Sequence, residues 1–350
     1  MELTREIIAF TTEADWLNAR KGDVTSTEAA GLFDAGAYDN SRTFYELYNI
    51  KSGLLAPAPF KGSDRTKWGN RLESAIAFGI AEDYGLIVEP FKVYMRIPEV
   101  RMGSSFDFRI VGLSDDYAGD ETIRNVFREH GHGIMEVKNI DAMQFRRNWI
   151  DDGETIEATP QIEMQVQHQL EVADLNWSLI APLVGGNTPK VVVRERDTEV
   201  GALIRAKVAE LWERIAAGNP PEPDYLKDAD TISKLYVNNN GAKIDVSDID
   251  MTKADRLIQL CAEHEAAKFA KNDAEKRQKA AKAEILTIIE AVKTVTAGAF
   301  NISAGTNKES YRAYHREAGE RWTITKSIIP AADIEATVPA YRNVRIAAAA

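Results

Sequence analysis

The amino-acid sequence predicts an α/β fold in which a central mixed β-sheet is flanked by helices. Helical and strand-like patterns alternate over the first two thirds of the chain, which is typical of that class. The strand-like runs are short and apolar, whereas the helical runs repeat apolar residues every three or four positions. The last third is rich in Ala, Lys and Glu and predicts a mainly helical C-terminal extension.

Composition sets limits on the class of protein. The 350 residues are 44% hydrophobic and 28% charged, as in ordinary globular proteins. A single cysteine, Cys261, excludes an internal disulfide framework and a cysteine-rich metal cluster. No apolar run reaches the roughly 20 residues that span a membrane, and the N-terminus lacks the features of a signal peptide. We therefore expect a cytoplasmic protein with no membrane partner.

The net charge of −11 argues against a general nucleic-acid binder, which is usually basic. It does not exclude an enzyme acting on DNA, because such an enzyme can confine its basic residues to one groove. The same enzyme can gather carboxylates around metal ions, which makes its overall charge more acidic.

The elements follow in chain order. Asp23 precedes a short β-like step, and the hydroxyl residues at 25–27 can cap a helix that begins near Glu28. A longer helix lies in "WGNRLESAIAFGIAEDYGL", where apolar residues recur at helical spacing. Glu73 sits beside this apolar stripe, so its carboxylate either is solvated or looks into a cleft.

Three strand-like runs come next, at 86–98, 104–113 and 133–140, with a polar and exposed linker before the last. A helix after Pro160 places Gln161, Gln165 and Gln169 on one face at i, i+4 and i+8. Two further strands, "WSLIAPLVGG" and "KVVVRERD", and the helix "EVGALIRAKVAELWERIAAG" complete this part.

The Pro-rich stretch "NPPEPDY" predicts a domain boundary. The first domain would cover 1–225 and the extension 226–350. Within the extension, about 250–294 has no Gly or Pro and predicts one long helix or a helical hairpin, followed by short β-strands.

The segment "GIMEVKNI" carries the strongest chemical signal. Glu136 and Lys138 are two residues apart on a strand and therefore share one face. Charges are rarely buried unless they are paired or bind a metal, so this face is either a solvated edge or the floor of a site. As an isolated pair, the two residues are more typical of an ion pair on an exposed edge strand.

Asp107, in "GSSFDF", favours the second alternative. An Asp and a Glu that face the same way on adjacent strands repel each other unless a cation lies between them. Mg²⁺ suits such a place, because it takes a few carboxylates and completes its shell with water and phosphate oxygens. A lysine on that face could orient or help deprotonate an attacking water, or stabilise charge on a phosphate.

The sequences of several segments, and their order along the chain, resemble those of the phage-type exonuclease and YqaJ-like viral recombinase family, the lambda-exonuclease-like branch of the PD-(D/E)XK nucleases. The segments are "RKGDVTSTE", "GNRLESAIA", "GSSFDF", "MEVKN" and "QVQHQLEVADLNWSLIAPLVGG". The resemblance covers about residues 10–215 and implies a restriction-endonuclease-like core. The family pattern often has Pro before the motif Asp, where this chain has Phe106.

The resemblance also implies residue roles. Metal binding would fall to Glu73, Asp107 and Glu136, with the backbone carbonyl of Val137 as a further ligand. Lys138 matches the catalytic lysine, assisted by Glu136, Asp107 and the motif glutamine Gln165. The pocket for the 5′-phosphate of a DNA end would be formed by Arg20, Thr27 and Ser105.

The implied reaction is Mg²⁺-dependent 5′-to-3′ digestion of one strand of linear duplex DNA, with Mn²⁺ as a substitute metal. It would leave 3′ single strands for recombination by strand annealing. The implied partners are double-stranded DNA ends, a single-strand annealing protein and further copies of the chain in a trimeric ring, in a phage or prophage setting. The alternatives are a site-specific or structure-specific endonuclease on the same site, and an inactive nuclease-fold adaptor.

Overall fold

The computed structural model describes most of the chain. The described ranges are 3–8, 12–34, 42–57, 63–114, 120–238, 241–307, 310–316, 319–321, 327–329, 332–338 and 341–348. From 306 onward these ranges give the backbone elements alone.

The helices are α1 (Glu13–Lys21), α2 (Phe44–Lys51), α3 (Asp64–Tyr84), α4 (Glu121–His130), α5 (Ala142–Asn148), α6 (Pro160–Ala173), α7 (Thr198–Ala217), α8 (Ala229–Leu235) and α9 (Met251–Ile289), with 3₁₀ helices η1 (Ser26–Phe33) and η2 (Val246–Asp248). The strands of the first two thirds are β1 (Glu6–Ile8), β2 (Val24–Thr25), β3 (Leu86–Pro90), β4 (Tyr94–Ile97), β5 (Met102–Ser105), β6 (Phe108–Leu113), β7 (Gly133–Ile140), β8 (Ile150–Asp151), β9 (Ile156–Glu157), β10 (Trp177–Val184), β11 (Thr188–Pro189) and β12 (Val192–Glu195). The C-terminal strands are β13 (Thr294–Ala297), β14 (Phe300–Asn307), β15 (Ser310–Arg316), β16 (Gly319–Arg321), β17 (Ser327–Ile329), β18 (Ala332–Val338) and β19 (Tyr341–Ala348).

The chain forms two compact units, Met1–Asn240 and Gly241–Ala350. This division falls 15 residues after the boundary placed at 225 from the Pro-rich stretch. Helix α8 lies between the two positions, and the buried carboxylate of Asp228 at its start accepts a hydrogen bond from the hydroxyl of Thr43. Every helix in the described ranges is too short or too polar to cross a membrane.

A six-stranded mixed sheet dominates the first unit and confirms the predicted fold class. Its path is β11-β10-β7-β6-β3, with β12 also paired to β10. Strands β7 and β10 run parallel, whereas β6 runs antiparallel to both of its neighbours, β7 and β3. Strand β7, which carries Glu136 and Lys138, therefore has one parallel neighbour, β10, and one antiparallel neighbour, β6.

A second, four-stranded sheet with the order β1-β4-β5-β2 corrects two of the predicted strands. The run 86–98 is two strands, β3 and β4, that belong to different sheets, and the run 104–113 divides in the same way into β5 and β6. Phe91 lies in the break between β3 and β4, and Phe106 in the break between β5 and β6. Their rings stack with centroids 4.7 Å apart and pack into the core at the two places where the chain passes from one sheet to the other. Asp107 was predicted to lie on a strand, but it lies in this break.

Two apolar cores lie on the two faces of the six-stranded sheet. Ile134 and Ile140 of β7 pack with α6, whereas Met135 and Val137 pack with α3. This division follows from the alternation of side chains along a strand. The apolar stripe predicted for α3 is confirmed, because Ile76 and Ile80 are buried on it.

Helix α4 corrects the prediction of an exposed linker before β7. Asp120 caps its N-terminus by accepting a hydrogen bond from the amide of Thr122, and Ile123 and Val126 are buried. In the second unit, the segment predicted as one helix or a hairpin is the single helix α9, whose 39 residues leave only Ala254 and Ile289 buried. In the described part of this region, three antiparallel sheets of short strands follow it.

Candidate active site

The site forms where β7 continues past the start of β6. The pairing of the two strands begins at Phe108 opposite Met135, so Asp107 lies where the next pair would place it, opposite Glu136. Directly opposed residues of antiparallel strands have Cβ atoms about 4.5–5.5 Å apart. The amide of Val137 on β7 donates its hydrogen to Oδ2 of Asp107 at 2.8 Å, so a side-chain carboxylate accepts a bond that a strand carbonyl would otherwise accept.

Glu136 is buried, with 2% of its surface exposed. Its Oε1 accepts hydrogen bonds from Nζ of Lys138 at 2.5 Å and from Nε2 of Gln165 at 2.6 Å. Its Oε2 accepts one from Nε2 of Gln169 at 2.7 Å. The solvated-edge alternative is therefore wrong, and the face shared by Glu136 and Lys138 is the floor of a polar site.

Helix α6 supplies the amides that line this floor. Pro160 starts the helix at a position where its missing amide hydrogen costs nothing. The spacing of four residues then places Gln165 and Gln169 one turn apart against Glu136, and Oε1 of Gln165 also accepts from Lys138 at 3.2 Å. Gln161, the first member of the predicted stripe, lies outside this network and is partly exposed.

The acids of the site disfavour one another's charge. Burial, followed by the charges of Glu136 and Glu73, raises the pKa of Asp107 well above its usual range, with Lys138 and the Val137 amide opposing the shift. Burial also raises the pKa of Glu73, against the opposing charge of Lys92 and with a contribution from Glu136. The three acids predicted from separate parts of the chain therefore interact electrostatically.

The acids do not form a ready-made metal cage. Within the described ranges, no three His, Cys, Asp or Glu side chains come together in a way that could hold a metal ion. The cation nearest to Glu136 is the ammonium group of Lys138. Glu73 approaches from α3, which packs on the opposite face of β7 from α6. The donor chemistry nevertheless suits a hard divalent cation, because oxygen ligands that repel one another gain from a positive charge between them.

A second cluster brings together the residues predicted for the 5′-phosphate pocket. Nη2 of Arg20 lies 3.4 Å from Oγ1 of Thr27, and its guanidinium group lies 4.2 Å from the ring centroid of Trp16. Nε1 of Trp16 donates to Oγ of Ser105 at 2.8 Å. In the part of the chain that the structure describes, Arg20 makes no ion pair, and burial lowers the pKa of its guanidinium group. A partly buried cation of this kind favours an anionic ligand.

Gln169 connects the two clusters and was not assigned to the site from the sequence. Its Nε2 bonds both Oε2 of Glu136 and, at 3.3 Å, the backbone carbonyl of Ser105. The signal was present in its spacing of four residues from Gln165. Trp16 was also missed, although its spacing of four residues from Arg20 on α1 could have indicated contact.

His168, on the other side of α6, has a structural role. It is fully buried, and its Nε2 lies 3.2 Å from the carbonyl oxygen of Val24. Burial lowers its pKa to about 4, so the ring is neutral at ordinary pH and must donate this bond. It therefore helps to fix β2 and η1, and with them Thr27, against α6.

Comparison with protein families gives a match that agrees with this geometry. Residues 15–176 match the model of the YqaJ-like viral recombinase domain. The matched range contains both clusters, and the match confirms the resemblance seen in the sequence. No curated protein matches the chain.

Solved structures give weaker likenesses. LHK-Exo, an alkaline exonuclease from Laribacter hongkongensis solved with dAMP, is 19% identical, with 63% of this chain and 98% of that chain covered and a TM-score of 0.42. A phage-related exonuclease from Haemophilus somnus 129PT is 12% identical, with 56% and 96% covered and a TM-score of 0.35. TM-scores this low do not by themselves establish a shared fold.

Proposed function

We propose that the YqaJ-like viral recombinase domain at residues 15–176 is the catalytic part of an exonuclease that digests one strand of linear duplex DNA from its 5′ end. The observation that carries this proposal is the buried Glu136, held by Lys138 and two glutamines, with the Asp107 carboxylate bonded to the amide of the adjacent Val137. Two acids and a lysine on this framework suit hydrolysis of a phosphodiester by an activated water.

The residues that would hold a divalent cation are Glu73, Asp107, Glu136 and the backbone carbonyl of Val137. When bound, Mg²⁺, or Mn²⁺ in its place, would lower the pKa of a coordinated water and offset charge on the phosphate. The mutual repulsion of Asp107, Glu136 and Glu73 supports this assignment, because a cation would relieve it.

The chain's own groups orient the reaction. The ammonium group of Lys138 stands beside Glu136, where it can donate to a phosphate oxygen or align the attacking water. Gln165 fixes that ammonium group by accepting from Nζ while it donates to Glu136. Lys138 therefore enters the reaction already oriented, which lowers the cost of reorganisation in the transition state.

The Arg20 cluster supports a preference for a phosphorylated 5′ end. A guanidinium group with no carboxylate partner in the described residues, beside the hydroxyl of Thr27, matches the geometry of a terminal phosphate. Gln169 connects this cluster, through the Ser105 carbonyl, to Glu136. A strand held by its 5′-phosphate would therefore extend toward the acids.

The further partners follow from the family resemblance. The 3′ single strand left by such digestion would pass to a single-strand annealing protein. A trimeric ring of this chain around DNA would reconcile the net charge of −11 with DNA binding, because basic residues could line the channel.

Timed digestion of linear duplex DNA labelled at either end tests the proposed function. With Mg²⁺ we expect loss of the 5′ label first and survival of the complementary strand, and with EDTA we expect no digestion. A covalently closed circle in the same tube should persist. Cutting of the circle would favour the endonuclease, and failure to cut any DNA with Mg²⁺ or Mn²⁺ would favour the inactive adaptor.

Arg20→Ala should remove the preference for a 5′-phosphate. The parent protein should digest 5′-phosphorylated duplex about tenfold or more faster than the same duplex with a 5′-hydroxyl, since a charge-assisted contact to phosphate would be lost. In the variant the two rates should become equal. Lys21→Ala, which changes the exposed neighbour of Arg20 on α1, is the matched control and should keep the preference. Retention of the preference in Arg20→Ala would place the phosphate pocket elsewhere.

A further inference from the structure

An open cleft of about 540 Å³ begins one residue beyond Lys138 on β7. Its floor is the C-terminal end of β7, at Asn139, and the Gly185–Gly186 turn after β10. The first turns of α3 and α5 form its sides. Both glycines have positive φ, 62° and 80°, which other residues rarely adopt, so the turn closes without side chains that would narrow the cleft.

Trp68 of α3 lines this cleft with 53% of its surface exposed. The guanidinium group of Arg71 lies 5.0 Å from its ring centroid. A tryptophan buries more apolar area than most residues when it finds a partner, so a half-exposed ring in a cleft is suited to contact with a flat ligand. A nucleobase is such a ligand, and each of the bases can stack on an aromatic ring.

The surface around Trp68 carries cations that the fold itself does not neutralise. Most buried or half-buried arginines of the first unit pair with acids, as Arg194 does with Glu163 and Arg196 with Glu171. In contrast, Arg65, which lines the cleft, and Arg71, which lies over the Trp68 ring, are exposed and make no ion pair with any described residue. The lining also includes the acids Asp64 and Asp141, and Asp141 accepts hydrogen bonds from the amides at the start of α5. The two arginines beside Trp68 are therefore the groups there that a phosphate could contact.

The path of β7 sets the order of the subsites. The Arg20 cluster meets the acids through Ser105 and Gln169, on the side of Glu136. Beyond Glu136 the strand advances about 3.3 Å per residue, past Lys138 to Asn139 and the cleft. A DNA strand with its 5′-phosphate at Arg20 would therefore pass the acids before it reaches Trp68.

We propose that this cleft binds the substrate strand on the 3′ side of the phosphodiester to be cut, with Trp68 stacked on one unpaired nucleobase and Arg65 and Arg71 beside the adjoining phosphates. The proposal rests on the proposed function and adds a subsite to it. It implies that the strand leaves its duplex stack at this position, since the neighbouring bases cover both faces of a base inside a duplex.

Binding of a fluorescently labelled, 5′-phosphorylated duplex in EDTA tests the subsite without cleavage. Trp68→Ala should weaken binding about tenfold, the range expected for loss of one base–aromatic contact. Trp68→Phe should recover most of the affinity, because a smaller ring can still stack. Tyr225→Ala, which removes a 75% exposed aromatic side chain far along the chain, should bind as the parent does. Thermal unfolding should be unchanged in Trp68→Ala, since the ring is half exposed.

A series of duplexes with one abasic nucleotide at the second, third or fourth position from the 5′ end identifies the stacked base. When the abasic nucleotide replaces the stacked base, the parent should bind about tenfold more weakly than it binds the intact duplex. Trp68→Ala should bind this abasic duplex and the intact duplex equally well. At the other positions the full difference between the two proteins should remain. Equal affinity of Trp68→Ala and parent for every duplex, or a difference that no abasic position removes, would overturn the stacking subsite while leaving the nuclease standing. Failure of the parent itself to bind or cut DNA would overturn both.

Discussion

Lys138→Ala is expected to slow digestion of linear duplex DNA about a thousandfold while DNA ends are still bound. The ammonium group is 2.5 Å from Oε1 of Glu136 and 3.2 Å from Oε1 of Gln165, so it is fixed at the acids rather than on the DNA-binding surface. Removal of a positioned proton donor or positive charge from a reaction centre typically costs factors of this size. Rates on 5′-labelled duplex and affinities in EDTA would be measured side by side.

Two further variants separate chemistry from folding. Truncation of Lys138 leaves the buried Glu136 with one partner fewer, which would lower the free energy of unfolding by about 1 to 3 kcal/mol. Lys138→Arg keeps a cation beside Glu136, so it should fold as the parent does and still lose most of the activity, because the larger planar guanidinium group cannot take the position that Nζ holds between Glu136 and Gln165. Lys207→Ala, a lysine of α7 paired with Glu210, is the matched control. Digestion by Lys138→Ala at the parent rate would show that the site is misplaced.

Asp107→Asn is expected to abolish digestion and, in EDTA, to make the protein more stable. The pKa of Asp107 is raised in the fold, so at pH 8 its ionisation costs folding free energy: the stability present while the group is protonated is lost as the pH rises. Asparagine removes the charge and can still accept the Val137 amide hydrogen through its side-chain oxygen. We expect the free energy of unfolding in EDTA to rise by about 1 kcal/mol.

Added Mg²⁺ should make the parent protein more stable than Asp107→Asn, the reverse of the order in EDTA. Mg²⁺ should raise the melting temperature of the parent, because a ligand that binds only the folded state stabilises it, and should leave Asp107→Asn unchanged. Asp83→Asn, an exposed acid near the end of α3, should behave as the parent in both conditions. An Asp107→Asn protein that still gains stability from Mg²⁺, or still cuts DNA, would remove Asp107 from the metal-binding set.

The contact between Glu136 and Lys138 on β7 could be predicted because it depends on local alternation. Two residues two apart on a strand share a face wherever the strand lies, so Glu136 and Lys138 could be paired from their spacing alone. Helical spacing likewise placed Gln165 and Gln169 on one face of α6. The burial of Glu136, which decides between a solvated edge and a site, required the tertiary structure.

The position of Asp107 could not be predicted, because it depends on where the chain changes sheets. The run 104–113 reads as one continuous strand, and only the packing of Phe91 on Phe106 shows why it breaks there. The cleft beside Trp68 was also inaccessible to sequence reasoning. It arises because β10 lies parallel to β7 and α3 covers their ends, which is a property of topology rather than of any segment.

Strand β7 contributes to the core and to the candidate site at once, by turning Met135 and Val137 toward α3 and Glu136 and Lys138 toward α6. A slip of one residue against β10 would exchange these two sets and drive both charges into the apolar side. Molecules with this shifted register would then fail to complete their core instead of persisting as folded molecules with a defective site. The register that completes the apolar core is therefore the same register that assembles the polar site.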